Sequence, residues 1–149
     1  VTASDLSDLR NPPEIRFTLE LPNAYTEKDG VIELRQSLTP SRWGQTALAS
    51  LATRKADLLL PPPHATKWSL TLKLPTGMRC PNPPASFSAE SKYLKLSLAA
   101  TAAADGKSIT IRGEVAMQGG IVPVADYVDF RRALVDFDAA ELRVLKLTR

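Results

Sequence analysis

The segment 93–117 constrains the fold more than any other part of the sequence, because it predicts a β-hairpin with one register. Asp105-Gly106 favours the positive φ angles of a type I′ turn. If this dipeptide forms the loop, one face of the hairpin consists of apolar cross-strand pairs and one glycine: Ala102 with Ile109, Ala100 with Ile111, Leu98 with Gly113, Leu96 with Val115 and Leu94 with Met117. A slip of one residue would turn this whole set into water, so the register is strongly specified.

Other segments alternate between apolar and polar residues, as half-buried strands do. The clearest are 14–21, with Ile15 and Phe17 on its apolar face, and 68–74, which begins at Trp68. A weaker alternation over 32–38 follows the turn dipeptide Asp29-Gly30. Two shorter apolar runs predict further strands, at 58–60 and 142–147.

The segment after Pro123 predicts one amphipathic helix of about four turns. Its apolar side chains recur at helical spacing: Tyr127, Phe130, Leu134 and Phe137. Pro123 suits the first turn of a helix, and Asp126 lies near the positive end of the helix dipole. The Ala- and Leu-rich segment 41–55 predicts a second, short helix.

Several short strands and one clear helix predict a mainly β fold, an antiparallel β-sandwich with one C-terminal amphipathic helix. The 149 residues suffice for one domain with a real core. We expect residues 1–13, which end in Asn11-Pro12-Pro13, to form a lead-in linker, and residues 14–149 to form a single β-sandwich domain. The chain begins without Met, which suggests a processed product or an excised domain.

Composition and charge exclude several function classes. The net charge of +3 is evenly spread, and Arg131-Arg132 has no aromatic ladder beside it, which disfavours nucleic-acid binding. The longest uncharged stretches, such as 115–125, fall short of the roughly 20 residues that span a membrane, so we expect no membrane insertion. The single cysteine excludes an internal disulfide and any multi-cysteine zinc site.

Cys80 and His64 are the only thiol and the only imidazole, and therefore the sole candidates for thiolate catalysis. Catalytic thiols are activated by a helix start or by a positioned base, whereas Cys80 stands in a proline-rich segment. We therefore predict a structural thiol. His64 follows three prolines, and we predict that it is exposed in a loop.

The remaining candidate groups also have structural interpretations. The helix carries four aspartates, whose spacing matches no calcium loop and predicts a solvated helix face: Asp126, Asp129, Asp136 and Asp138. Gly119-Gly120 fits no phosphate-binding motif and is interpreted as a strand exit. Trp68, on an alternating strand, is interpreted as a core residue. The sequence thus predicts no catalytic, cofactor-binding or metal-binding residue.

Residues 119–140 resemble the closing motif of bacterial transglutaminase-like proteins, in which a hydrophobic residue and Pro precede a short helix with Tyr, Phe-Arg and a Val-Asp pair. The matching positions are Val122, Pro123, Tyr127, Phe130, Arg131 and Val135-Asp136. Upstream, 72–77 is similar to the family's strand that ends in Leu-Pro-x-Gly, and 54–58 resembles its Arg-started strand. The resemblance extends over roughly residues 50–149.

This resemblance implies a carboxy-terminal β-sandwich domain that follows a papain-like core with a Cys, His and Asp triad. No position of this chain matches the triad's motifs, so the family's chemistry transfers to no residue. The resemblance therefore implies a non-catalytic accessory or interaction domain, whose partner is the catalytic core of its parent protein or another protein. It also implies a location in the bacterial periplasm or cell envelope.

Two alternatives stay open from the sequence. The first is a stand-alone cysteine hydrolase or transferase that uses Cys80 and His64. The second is an independent subunit of a cell-envelope assembly that pairs with another chain through an exposed sheet edge.

Overall fold

Short antiparallel strands and one long helix form the computed structural model, which describes residues 2–3, 15–16, 26–35, 42–44 and 48–149. The strands are β1 (Thr2–Ala3), β2 (Ile15–Arg16), β3 (Thr26–Lys28), β4 (Val31–Arg35), β5 (Leu58–Leu59), β6 (His64–Lys73), β7 (Phe87–Glu90), β8 (Leu94–Ala102), β9 (Ser108–Met117), β10 (Ile121–Val122) and β11 (Val144–Leu147). The helix is α1 (Val124–Glu141). The predicted mainly β fold with antiparallel sheets and one helix near the C-terminus is confirmed.

The largest sheet has the strand order β6-β9-β8-β7, with the predicted hairpin β8-β9 at its centre. All five apolar pairs of the predicted register are present, from Leu94 opposite Met117 to Ala102 opposite Ile109. Strand β6 extends the 68–74 prediction towards the N-terminus and pairs with β9 over ten residues. The alternation of apolar side chains therefore sufficed to set the register of the hairpin.

The predicted turn type of this hairpin is wrong. Gly106 has a positive φ of +68°, whereas Asp105 does not, and the Gly106 N–H donates to the Ala103 carbonyl. The loop contains four residues, and the Asp105 carboxylate stabilises it by accepting a 2.9 Å hydrogen bond from the Lys107 N–H. One extra residue on each side of the dipeptide leaves the register unchanged.

The two-residue turn with positive φ at both positions occurs instead at Asp29-Gly30, between β3 and β4. These strands join β11 in a second sheet of order β11-β4-β3. Strand β11 confirms the predicted final strand, although Leu142 ends the helix instead of starting the strand.

Two short ribbons complete the described strands. Leu58–Leu59, predicted as a strand, pairs with Ile121–Val122, which the sequence did not predict. Thr2–Ala3, inside the predicted lead-in, pairs with Ile15–Arg16. The rest of the predicted strand 14–21 and residues 36–38 of the predicted strand 32–38 lie outside the described residues.

The predicted helix is confirmed, and its four apolar side chains are buried against the four-stranded sheet. Phe137 is fully buried and packs edge-on against Phe87 and Trp68, at ring-centroid distances of 5.8 and 6.3 Å. The strand register places Phe87, Leu98, Gly113 and Trp68 in one row across the sheet. Helix and sheet thus share one core, to which Leu145 and Leu147 of β11 also contribute.

Gly113 makes room for the ring of Trp68. A Cβ atom at this position would lie 2.1 Å from the ring carbon Cζ2 of Trp68, far inside van der Waals contact. The absent side chain therefore permits the indole to lie over β9 and reach Phe137. Trp68, predicted as a core residue, is thus half-buried and packs against the core from its edge.

The predicted short helix over 41–55 is wrong for the described residues. Trp43 and Gly44 belong to a π-type turn, with the Leu48 N–H bonded to the Trp43 carbonyl, and residues 48–55 are irregular, without helical turns. We call residues 48–57 the strap, because they run along α1 in the opposite direction. Side chains of α1 bind carbonyl groups of the strap, which replaces the hydrogen bonds that a helix would make within itself.

Within the described part of the chain, α1 lacks the sustained apolar character that crossing a lipid bilayer demands, and no other described helix has it.

Candidate interaction surface

The structure does not bring Cys80 and His64 into contact. Cys80 is buried in the loop between β6 and β7, and its sulfur faces backbone groups of Asn82 and Lys146. Burial raises the pKa of the Cys80 thiol above its usual value, which disfavours the thiolate. His64 is exposed, as predicted, but it begins β6 opposite Met117 and does not lie in a loop. Its Nδ1 atom lies 3.0 Å from the Pro62 carbonyl oxygen.

The solvated-face prediction holds for Asp129 and Asp136, holds only in part for Asp126 and is wrong for Asp138. Asp129 and Asp136 are exposed and Asp126 is half-buried, whereas Asp138 is only 2% exposed. The Asp138 Oδ2 atom accepts a 2.8 Å hydrogen bond from the Gly44 N–H, on a side of the helix that the sequence could not show to be covered. No cluster of three or more potential metal ligands occurs among the described residues.

Asp126 connects the helix to the hairpin. Its Oδ2 atom accepts a short hydrogen bond from the Tyr93 hydroxyl and lies 3.1 Å from Lys92 Nζ. These two bonds lower the pKa of the Asp126 carboxyl, and bonds to Tyr93 and Asp126 raise the pKa of Lys92. The Tyr93 ring packs edge-on against Phe130 at 6.2 Å. This cluster fixes the first turn of α1 to the start of β8.

The strap is bound by residues on which the family resemblance rests. The Tyr127 hydroxyl donates a 2.7 Å hydrogen bond to the Leu51 carbonyl, and Arg131 Nε donates a 3.1 Å bond to the Ala49 carbonyl. At the other end of the strap, Asp57 Oδ1 accepts a 2.9 Å bond from the Val124 N–H. Asp57 thereby caps α1, because Pro123 at the N-cap position has no side-chain acceptor.

Exposed apolar side chains gather around this end of α1. Seven large hydrophobic side chains are exposed among the described residues, and five of them define what we call the apolar patch: Leu51, Leu59, Ile121, Val124 and Val128. Leu59 is 74% exposed and Ile121 is 57% exposed. Scattered exposed hydrophobic residues need no explanation, but a contiguous group indicates an interaction site.

The strand register and the helix repeat pair four members of the apolar patch, Leu59 with Ile121 and Val124 with Val128. Leu59 is the direct cross-strand partner of Ile121, so their Cβ atoms are about 5 Å apart. Val124 and Val128 are one helical turn apart, and α1 begins directly after β10 and Pro123. The backbone of Leu51 is held against α1, because its carbonyl accepts a hydrogen bond from the Tyr127 hydroxyl.

Backbone hydrogen bonds hold the apolar patch in place. The Leu60 N–H donates a 2.9 Å bond to the Gly120 carbonyl, next to the pair formed by Leu59 and Ile121. Val122, whose side chain points to the opposite face of β10, is fully buried in the core. This hydrogen bond and the buried Val122 side chain fix the position of the ribbon that carries Leu59 and Ile121, as expected of a surface that is formed before its partner binds.

Sequence reasoning missed the apolar patch, although a signal exists. Three consecutive leucines precede Pro61, and a strand can bury only alternate residues on one face. An apolar residue on the second face must be exposed unless another surface covers it. The Tyr93 contact with Asp126 left no such signal, because it joins residues 33 positions apart.

Comparison with known proteins gives a family and one similar fold. Residues 29–144 match the family model of DUF3858, described as a domain of unknown function with a solved structure. The crystal structure of a protein from Parabacteroides distasonis described as a "putative protease" matches with a TM-score of 0.64 and 19% identity over 82% of this chain. This chain spans only 24% of the length of that protein. No curated protein matches the chain. Because the family model matches most of the length of this chain, the chain belongs to the DUF3858 family.

Proposed function

We propose that this chain is a non-catalytic accessory domain of a longer transglutaminase-like protein, in which it packs against another domain through the apolar patch. The observation that carries the proposal is the gathering of five exposed apolar side chains at one end of α1. Covering them with a second domain would remove this surface from water, which is the main driving force of such contacts.

Two further observations support a role within a longer protein. The Parabacteroides distasonis protein of similar fold is about four times longer than the part that this chain matches. In addition, the residues of the closing motif resemble a domain that follows a papain-like core. The partner is therefore proposed to be the catalytic core of the same polypeptide.

The positions of the motif residues favour packing over chemistry. Tyr127 and Phe130 are buried, and Tyr127 and Arg131 use their polar atoms to bind the strap. Cys80 is buried with a raised thiol pKa, which argues against its use as a nucleophile. The proposed role is thus to position a neighbouring domain.

Thiol labelling read by mass spectrometry of the labelled peptide tests the proposal, because Cys80 is the only cysteine of this chain and cysteines elsewhere in the complete polypeptide give separate peptides. In a Cys80→Ala background, Ile121→Cys places a single thiol in the apolar patch, and Leu142→Cys places a matched exposed thiol at the far end of α1. The labelling rate of each is compared in the isolated chain and in the complete polypeptide encoded by the same gene. We expect at least tenfold protection of position 121 in the complete polypeptide and none of position 142.

Three results would refute the proposal. The first is equal labelling of position 121 in the two forms. The second is a coding sequence without any papain-like segment. The third is self-association of the isolated chain that Ile121→Lys abolishes, since this would assign the apolar patch to a second copy of the chain.

A further inference from the structure

A groove of about 400 Å³ lies at the other end of α1, where β11 passes the proline-rich loop that follows β6. We call it the basic groove, and its lining residues are Pro81, Asn82, Pro84, Arg143, Val144 and Lys146. It shares no residue with the apolar patch.

The proline residues explain why the groove exists. Arg79 and Thr148 exchange two 2.9 Å backbone hydrogen bonds, as residues of an antiparallel pair do. Continuing this register would place Pro81 opposite Lys146 and Pro83 opposite Val144. Proline has no N–H to donate, so the ladder stops after one pair and the two segments separate.

On the edge of β11 that faces the groove, Thr148 bonds to Arg79 and the backbone of Lys146 faces the Cys80 sulfur, so the backbone groups left for a ligand are those of Val144. Since Thr148 bonds to Arg79 on this edge, the alternation of an antiparallel strand turns the N–H and C=O of Val144 the same way, away from β4. Val144 is also one of the exposed apolar side chains. An extended peptide would find both a strand edge and an apolar contact here.

Two cations border the groove. Arg143 Nη1 donates a 2.8 Å hydrogen bond to the Ala85 carbonyl, which orients the guanidinium and leaves its other N–H groups available. In the described part of the chain, no carboxylate lies within 4.0 Å of Arg143. Lys146 Nζ lies 3.5 Å from Glu33, in a solvent-exposed ion pair. The charge of the groove is therefore complementary to a carboxylate.

We propose that the basic groove binds an extended peptide segment with an acidic side chain, whose backbone pairs with the edge of β11 at Val144 and whose carboxylate binds Arg143 and Lys146. Arginine suits this role because its planar fork can hold a carboxylate with two parallel hydrogen bonds. Glu33 competes for Lys146 and so weakens the site.

Titration with a short peptide, followed by NMR of the labelled chain, tests this proposal. The probe is capped Ala-Val-Glu-Val-Ala, and its control is the same peptide with Gln in place of Glu. We expect the Glu peptide to shift the amide signals of Asn82 and Val144 and to bind about tenfold more tightly than the Gln peptide, as a charge-assisted contact does. Equal affinities for the two peptides would overturn the proposal.

Three variants and a matched control locate the site. Arg143→Gln and Lys146→Gln are each expected to weaken binding of the Glu peptide about tenfold, whereas Glu33→Gln strengthens it several-fold by freeing Lys146. Arg132→Gln, which changes an exposed arginine of α1 paired with Asp129, leaves binding unchanged. Wild-type affinity in both groove variants would refute the assignment. If Arg143→Gln impairs folding, the assignment is tested by Lys146→Gln and Glu33→Gln alone. These two changes of exposed residues should have opposite effects on the affinity for the Glu peptide, and the same effect from both would refute the assignment.

Discussion

Replacing Gly113 with Ala tests how α1 packs on the sheet. Whether the substitution raises or lowers the free energy of unfolding depends on one neighbour, the Trp68 ring. The three atoms nearest to the added Cβ would all belong to the Trp68 ring, at 2.1, 2.3 and 2.6 Å. No real Cβ contact is this short, so the ring must move, and it is held by Phe137 at 6.3 Å. Overpacking of this kind costs about 1–3 kcal/mol.

An opposing contribution makes the prediction sharper. Alanine within a strand is more favourable than glycine by about 0.5–1 kcal/mol, since it loses less backbone entropy on folding. In the wild-type chain the clash outweighs this gain, and we expect Gly113→Ala to lower the free energy of unfolding by about 1–2 kcal/mol. In a Trp68→Leu background, which removes the ring and keeps an apolar side chain, Gly113→Ala should instead raise it by about 0.5 kcal/mol.

Urea denaturation of the wild type, the two single variants and the double variant measures this reversal of sign. Equal slopes of the transitions within each pair would show that the two chains expose the same surface on unfolding. Two results would refute the packing argument. One is stabilisation by Gly113→Ala in the wild-type chain. The other is an equal loss in both backgrounds, which would place the constraint on the glycine backbone instead of the indole.

Three further predictions concern the helix and its surroundings. Phe130→Ala removes a buried ring that packs on Tyr93. We expect it to lower the free energy of unfolding, measured by urea denaturation, by about 3–5 kcal/mol. An unchanged midpoint would show that the helix does not dock as described. Cys80 should react slowly with a thiol reagent at neutral pH and faster as urea unfolds the chain, since burial raises the pKa of its thiol. Fast labelling that His64→Ala abolishes would instead support a cysteine enzyme. Because the pKa of Asp126 is lowered in the folded chain, its stabilising contribution is present above the ordinary carboxyl pKa of 3.8 and is lost as pH falls through the folded pKa. Tyr93→Phe removes the largest cause of that shift, so stability measured from pH 6 downwards should lose part of its acid dependence, and an identical pH profile would contradict the assignment.

The elements that could be predicted from the sequence are those whose burial follows a period. The hairpin β8-β9 alternates every second residue over its whole length, and a slip would expose all of its apolar side chains, so its register could be derived. Helix α1 repeats every three to four residues from Tyr127 to Phe137 for the same reason. Both the hairpin and the helix have one buried face and one face that is more exposed to solvent.

The strap and Asp138 escaped prediction because their partners are far away in sequence. An Ala- and Leu-rich segment has the composition of a helix, but hydrogen bonds from Tyr127 and Arg131, 76 and 82 positions away, hold it in another form. Such bonds leave no periodic pattern. Asp138 looked like a surface residue for a similar reason, since the Gly44 N–H that binds it lies 94 positions earlier.

The closing motif shows how a recognisable sequence pattern can arise from packing alone. Pro123 occupies the N-cap position directly before the helix, Tyr127 and Arg131 bind the strap, and Phe130 fills the core against Tyr93. Each of these roles demands a particular side chain at a particular turn of one helix, so packing by itself accounts for a specific pattern. The bond from Tyr127 also holds the backbone of Leu51, a member of the apolar patch, against α1. The motif and the proposed contact with a second domain are thus linked physically, because Tyr127 holds the strap that carries Leu51.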